Sequence, residues 1–181
     1  IITQTMEVDI PQYANLNVST GRKMKRLLAI IAESVPFKPV MTKLAELIEV
    51  SRNTITDYLS YIEKAGMIMQ LRDETGGIRS LGKVEKIYLD NPNLAFVLGR
   101  NDVNIGNIRE TFLVNQLSYN QIVEFSEVSD FFVNNKYTIE CGGKSKTGEQ
   151  IKNIENAFIA ADGIEIGIGS KIPLWLFGFL Y

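Results

Sequence analysis

Three carboxylates in the second half of the chain, Glu110, Asp130 and Glu140, are the residues whose type and spacing could do chemistry, together with Lys144. Carboxylates that converge can hold a magnesium ion, and a lysine beside them can orient or activate a water for attack on a phosphodiester. Such a site wants Glu-x-Lys on one strand. Glu140-Cys141-Gly142 puts glycine where the lysine is needed, and the nearest lysine is Lys144. Strand alternation sends positions 140, 142 and 144 to one face, so Lys144 reaches the acids only if Gly142-Gly143 bends or bulges. Asp130 and Glu140 are the metal ligands if a metal binds at all. Otherwise the acids are a polar remnant in an inactive scaffold.

Other chemistries are narrowed by what the chain lacks. Histidine is absent, which excludes Ser-His-Asp and Cys-His catalysis and the usual Cys/His zinc sites. Cys141 is the single cysteine, so no internal disulfide can form, and a reducing, cytoplasmic setting is expected. Gly143-Lys144-Ser145 sits between a strand and a helical stretch, as in a phosphate-binding loop. That loop needs a further glycine five residues before Gly143, and Thr138 stands there, so no motor site is expected.

The elements that must position the acids follow from periodicity. Residues 105–119 read as a helix with Ile105, Ile108, Phe112 and Leu113 buried. Residues 121–125, 129–133 and 136–141 read as short strands, the last two joined at Asn134-Asn135, since asparagine tolerates positive φ. A short helix over 146–155 and a strand over 156–162 complete an αβββαβ order, the core of a restriction-endonuclease-like fold. The apolar tail from Ile172 to Tyr181 is expected to cover a sheet edge or face.

The first half reads differently. Residues 22–35 form a helix with Met24, Leu27, Leu28 and Ile31 on one face, ended by Pro36 and Pro39. Residues 43–66 are two short amphipathic helices around a tight turn, a helix-turn-helix. Leu44, Leu47 and Ile48 mark one buried stripe, and Ile55, Tyr58, Leu59 and Ile62 the next. Ser51 is placed to cap the second helix and Gly66 to end it. Arg52, Asn53, Thr54 and Thr56 are left outward on its first turns, where a recognition helix meets base edges. Strand-like residues 67–71 and 86–89 flank a turn at Thr75-Gly76-Gly77 and make a wing, with Arg72, Arg79, Lys83 and Lys86 available to phosphates. Tri-helical units of this kind also serve as protein–protein connectors.

Charge is divided along the chain. Residues 22–88 carry 12 Lys and Arg against 8 Asp and Glu, and residues 89–181 carry 7 against 11. The asymmetry is compatible with two functional units and is modest for a DNA-binding protein. No apolar run approaches a membrane span of roughly 20 residues, so no membrane partner is expected.

Taken together, the blocks at 44–68, 81–96, 105–117, 129–133, 139–151 and 172–181 resemble the C-terminal half of a group of prokaryotic AAA-type ATP-binding proteins. In that group a P-loop ATPase module precedes a winged helix, and a nuclease-like domain of unknown function ends the chain. The resemblance implies an α+β or α/β chain. Residues 1–21 would be a remnant of the segment after an absent ATPase core, 22–89 a winged helix, 90–104 a connector and 105–181 a restriction-endonuclease-like domain. ATP and magnesium would belong to the full-length protein and not to this stretch, with magnesium here only if the nuclease-like site works. The family's acidic-Asp-Phe element falls on Asp130-Phe131 and its Ile-Glu-Val-Lys on Ile139-Glu140-Cys141-Gly142, the lysine being replaced. Three functions stay open, in this order: a non-catalytic module binding double-stranded DNA or a partner, a structural protein–protein interaction domain, and a magnesium-dependent nuclease.

Overall fold

The computed structural model describes residues 1–72, 83–99 and 103–180. The chain is α+β, with two sheets among the described residues, and divides into two compact units. One comprises Ile1–Gln70 and Lys86–Asp102, the other Leu71–Glu85 and Val103–Tyr181. None of the described helices is long and apolar enough to cross a membrane.

The first unit opens with a helical segment, α1 (Ile2–Gln4) and α2 (Ile10–Tyr13), whose middle, Thr5–Asp9, is π-helical. Pro11 has no N–H to donate and its ring crowds the carbonyl one turn back, which a wider turn relieves. This segment packs on α3 (Val18–Ser34) at Gly21, where a Cβ would fall 2.5 Å from the Met6 carbonyl oxygen. The helix starts four residues before the expected 22, because Asn17 caps it by accepting from the Thr20 amide at 2.9 Å. Its C-terminus is as read: Val35 turns extended ahead of Pro36.

Helices α4 (Met41–Ile48) and α5 (Arg52–Lys64) form the helical pair expected over 43–66. Between them Glu49 takes a left-handed conformation, φ 58°, and Val50 N donates to Ala45 O at 3.0 Å. The Lys23 ammonium reaches over to the Glu49 carbonyl at 3.0 Å and ties α3 to this turn. Gly66, φ 65°, ends α5: its amide donates to Glu63 O and that of Met67 to Ile62 O, closing the last turn. Leu47 departs from expectation, at 42% exposed; α4 is only eight residues long and turns just Leu44, Ala45 and Ile48 inward.

Strands β1 (Ile68–Arg72) and β2 (Val84–Leu89) make a two-stranded sheet, and Phe37 bridges to Ile87 on β2. The expected turn at Thr75-Gly76-Gly77 lies outside the described residues. Helix α6 (Pro92–Leu98), capped by Asn91, packs on α3 within the stretch read as a connector.

The second unit carries α7 (Ile105–Leu117) and a five-stranded sheet. Its strands are β3 (Val123–Glu124), β4 (Phe131–Val133), β5 (Tyr137–Gly142), β6 (Ala157–Ala161) and β7 (Lys171–Pro173), neighbours in that order. The first three run antiparallel and the last three parallel. Asn134 and Asn135 both sit at φ 53°, the mirror-image turn that matches strand twist.

Three expectations are corrected here. The helix over 146–155 shrinks to one 3₁₀ turn, Glu149–Ile151, because the chain enters it through Gly148 at φ 68° and Ile151 must dip into the core with Ile159 and Ala161. The αβββαβ order therefore lacks its second α-helix and gains a strand, since the tail contributes β7 before a 3₁₀ segment, Leu174–Phe179, that packs on α7. Ile105 is 57% exposed: α7 buries Thr111, Leu113, Val114 and Leu117, so the inward stripe begins a turn later than read.

Candidate functional site

Two groups of polar residues merit chemical scrutiny, one in each unit. The first is the start of α5. The Ser51 hydroxyl accepts from the Thr54 amide at 3.1 Å, satisfying a first-turn donor. Thr54 does not stay available: its hydroxyl lies 2.8 Å from that of Ser51. Thr56 is exposed, with its hydroxyl turned back to the Arg52 carbonyl at 3.3 Å. Arg52 and Asn53 are fully outward, and Asp57, unmarked in the sequence reading, shares that exposed face. Of the residues expected on a wing, Lys86 of the first unit lies 5.2 Å from the ring of Tyr88, whereas Lys83 falls in the second unit and is paired at 2.6 Å with the buried Glu85. Arg72 is half-buried, and its carbonyl accepts from Phe125 N. Arg79 lies outside the described residues.

The second group surrounds the end of β5. The register that pairs Phe131 with Ile139 brings Asp130 alongside Glu140. Asp130 Oδ2 accepts from the Cys141 amide at 2.7 Å. Glu140 is 1% exposed, and both its oxygens are engaged: Oε1 by the Lys146 ammonium, Oε2 by the Gln150 side-chain amide. Glu110, from α7, is near enough for its charge to be felt at Cys141, as are those of Asp130 and Glu140. Burial first, and then these negative charges, push the Cys141 thiol well above its ordinary range, with Arg109 opposing. The hydrogen bond that Lys146 donates to Glu140 raises the ammonium above the usual lysine value, against partial desolvation.

The lysine of this cluster is not Lys144. That residue is exposed, because β5 ends at Gly142 and strand alternation stops there; its carbonyl accepts from the Lys171 ammonium at 3.2 Å. The chain turns instead, Lys146 N donating to Gly143 O at 3.0 Å, and Lys146 comes back over the strand. A Cβ on Gly142 would lie 2.9 to 3.0 Å from the Lys146 side chain. Glycine at 142 is thus the space in which the lysine stem lies, and the ammonium arrives by a loop in place of the strand. Gly143 approaches the Arg109 guanidinium in the same manner, and Arg109 pairs with Asp162 at 2.8 Å. Gln150 and Lys146 were missed from sequence; the double glycine after a buried strand acid was the available signal that the chain could turn back.

Each Glu140 oxygen already accepts one hydrogen bond and one Asp130 oxygen is held by the backbone, so a divalent cation here would have to displace Lys146 or Gln150. Among the described residues, no group of three or more acidic, cysteine or histidine side chains is disposed to hold a metal. What the geometry does is neutralise a buried carboxylate with an internal ammonium, as a buried charge requires.

Comparison with curated proteins found no match, and comparison with solved structures found none. A family model described as a domain of unknown function, DUF8612, matches residues 1–104, which covers the whole helical unit and reaches the threshold of α7. With more than half of its length matched, the chain belongs to this DUF8612 family of domains of unknown function.

Proposed function

We propose that this chain is the non-motor C-terminal module of an AAA-type ATP-binding protein, a winged helix that engages double-stranded DNA followed by a restriction-endonuclease-like shell that is not itself catalytic. The observation that carries the reading is the start of α5, a Ser51-capped helix end presenting Arg52, Asn53 and the exposed Thr56. Arg52 suits guanine and Asn53 suits adenine in a major groove, the two commonest bidentate pairings. Thr54 acts through the cap instead of the groove.

The second part rests on the engaged oxygens of Glu140 and Asp130, which leave no ready place for magnesium. ATP and its magnesium belong, in this reading, to an upstream motor. Fluorescence anisotropy of labelled duplex DNA titrated with the chain tests the binding. Affinity that falls steeply as salt rises supports it. No binding at low ionic strength leaves a protein partner as the target of the same face.

A further inference from the structure

The first unit also holds a cleft of about 450 Å³ between the π-helical N-terminal segment and the end of α5. It lies within the size range of small-molecule sites. Thr5, Asp9, Ile10 and Tyr13 line one side, and Tyr61, Lys64 and Ala65 the other. The lining is mostly apolar with a few polar groups, as ligand sites commonly are.

Three features give it a chemical preference. Tyr13 is 83% exposed, a large ring held out at the end of α2 with no described partner, and Tyr61 faces the same space from α5. Two tyrosines and Ile10 in one cleft offer apolar and aromatic surface to a flat apolar body. Lys64 makes no ion pair or hydrogen bond among the described residues. Asp9 uses one oxygen, Oδ1, to accept from Gln4 Nε2 at 3.1 Å and keeps the other. The cleft therefore presents one ammonium from one wall and one carboxylate oxygen from the other, with a tyrosine on each wall. A purely anionic ligand would waste Asp9, and a purely cationic one would waste Lys64.

We infer that this cleft binds a small aromatic zwitterion, its carboxylate on Lys64, its ammonium on Asp9 and its ring against Tyr13 and Tyr61. The inference is independent of the DNA reading, which uses the opposite end of α5.

Titration calorimetry of the whole chain tests it with L-tryptophan as the probe, against tryptamine and indole-3-propionate, each of which lacks one charge. L-tryptophan should bind, and each analogue should bind about tenfold more weakly for the loss of one charge-assisted contact. Lys64→Met should erase the advantage of L-tryptophan over tryptamine, and Asp9→Asn its advantage over indole-3-propionate. Ala65→Leu, which fills the cleft from a helix end, should abolish all three. Circular dichroism confirms that each variant is folded before it is read. No heat at millimolar L-tryptophan, analogues that bind as well as the zwitterion, or binding that survives Ala65→Leu would each overturn the inference.

Discussion

The start of α5 and the end of β5 use the same kinds of side chain for opposite purposes. At α5, Arg52 and Asn53 stand in solvent, while Ser51, Thr54 and Thr56 hold local hydrogen bonds. At β5, Glu140 is buried, its charge matched by Lys146 and its second oxygen by Gln150. Exposed polar groups cost little to keep and are free for a partner; buried ones must be satisfied internally or they destabilise the fold. A constellation of acids and a lysine is therefore not by itself evidence of reactivity. What separates the two regions is whether hydrogen-bonding capacity is left over.

That contrast makes graded predictions. The largest effect belongs to Glu140→Ala, which removes the carboxylate that holds Lys146 and Gln150 and empties its buried place in the sheet. A loss of about 2–4 kcal/mol is expected in urea unfolding, the upper end tempered because Lys146 is 36% exposed. A loss under about half a kcal/mol would mean the cluster is not structural. Gly142→Ala comes next, at about 1–2 kcal/mol, since the added methyl displaces the Lys146 stem. If it instead costs nothing, the lysine does not lie over the strand as described. Ser51→Ala should cost about 1 kcal/mol through loss of the cap alone. Arg52→Ala and Asn53→Ala should change stability by no more than about 0.5 kcal/mol while weakening DNA binding. Stability losses there comparable to Glu140→Ala would erase the distinction between the two regions.

Alkaline pH sharpens the same comparison. Lys146 is raised in the folded state, so its contribution is complete below the ordinary lysine value of about 10.4 and disappears as pH climbs through the folded value. The stability difference between the native chain and Lys146→Met should accordingly be constant through neutral pH and shrink only in strongly alkaline solution. A difference that shrinks between neutral pH and pH 9 would contradict the pairing. The raised Cys141 thiol is expected to resist alkylation at neutral pH until the chain is unfolded.

What could be read from sequence was local. The cap at Ser51, the left-handed Gly66 and the Asn134-Asn135 turn each follow from one residue's own conformational or hydrogen-bonding preference, and each is present. The buried stripes of α3 and α5 were equally legible, because a helix repeats its inward face at a fixed interval. Failures began where a position depends on what the chain meets later. Lys146 was invisible as the partner of Glu140 because a turn at Gly143, and not strand alternation, returns it. Ile105 and Leu47 fit an apolar period, yet each lies outside the buried stripe of its helix. The 3₁₀ turn at Glu149–Ile151 replaced a helix because Ile151 is claimed by the core. At the start of α5 the helical period told which residues point outward, but the engagement of Thr54 by Ser51 depends on the cap geometry, and Asp57 shares the same exposed face.

The most direct test of the central claim is the salt dependence of duplex DNA binding by the native chain and by Arg52→Ala/Asn53→Ala, measured by anisotropy. Native binding should weaken steeply with salt, and the variant should bind less tightly and lose most of its preference among duplex sequences. Identical curves for the two proteins, or no binding by either, would contradict the assignment of the α5 end as the surface that reads DNA.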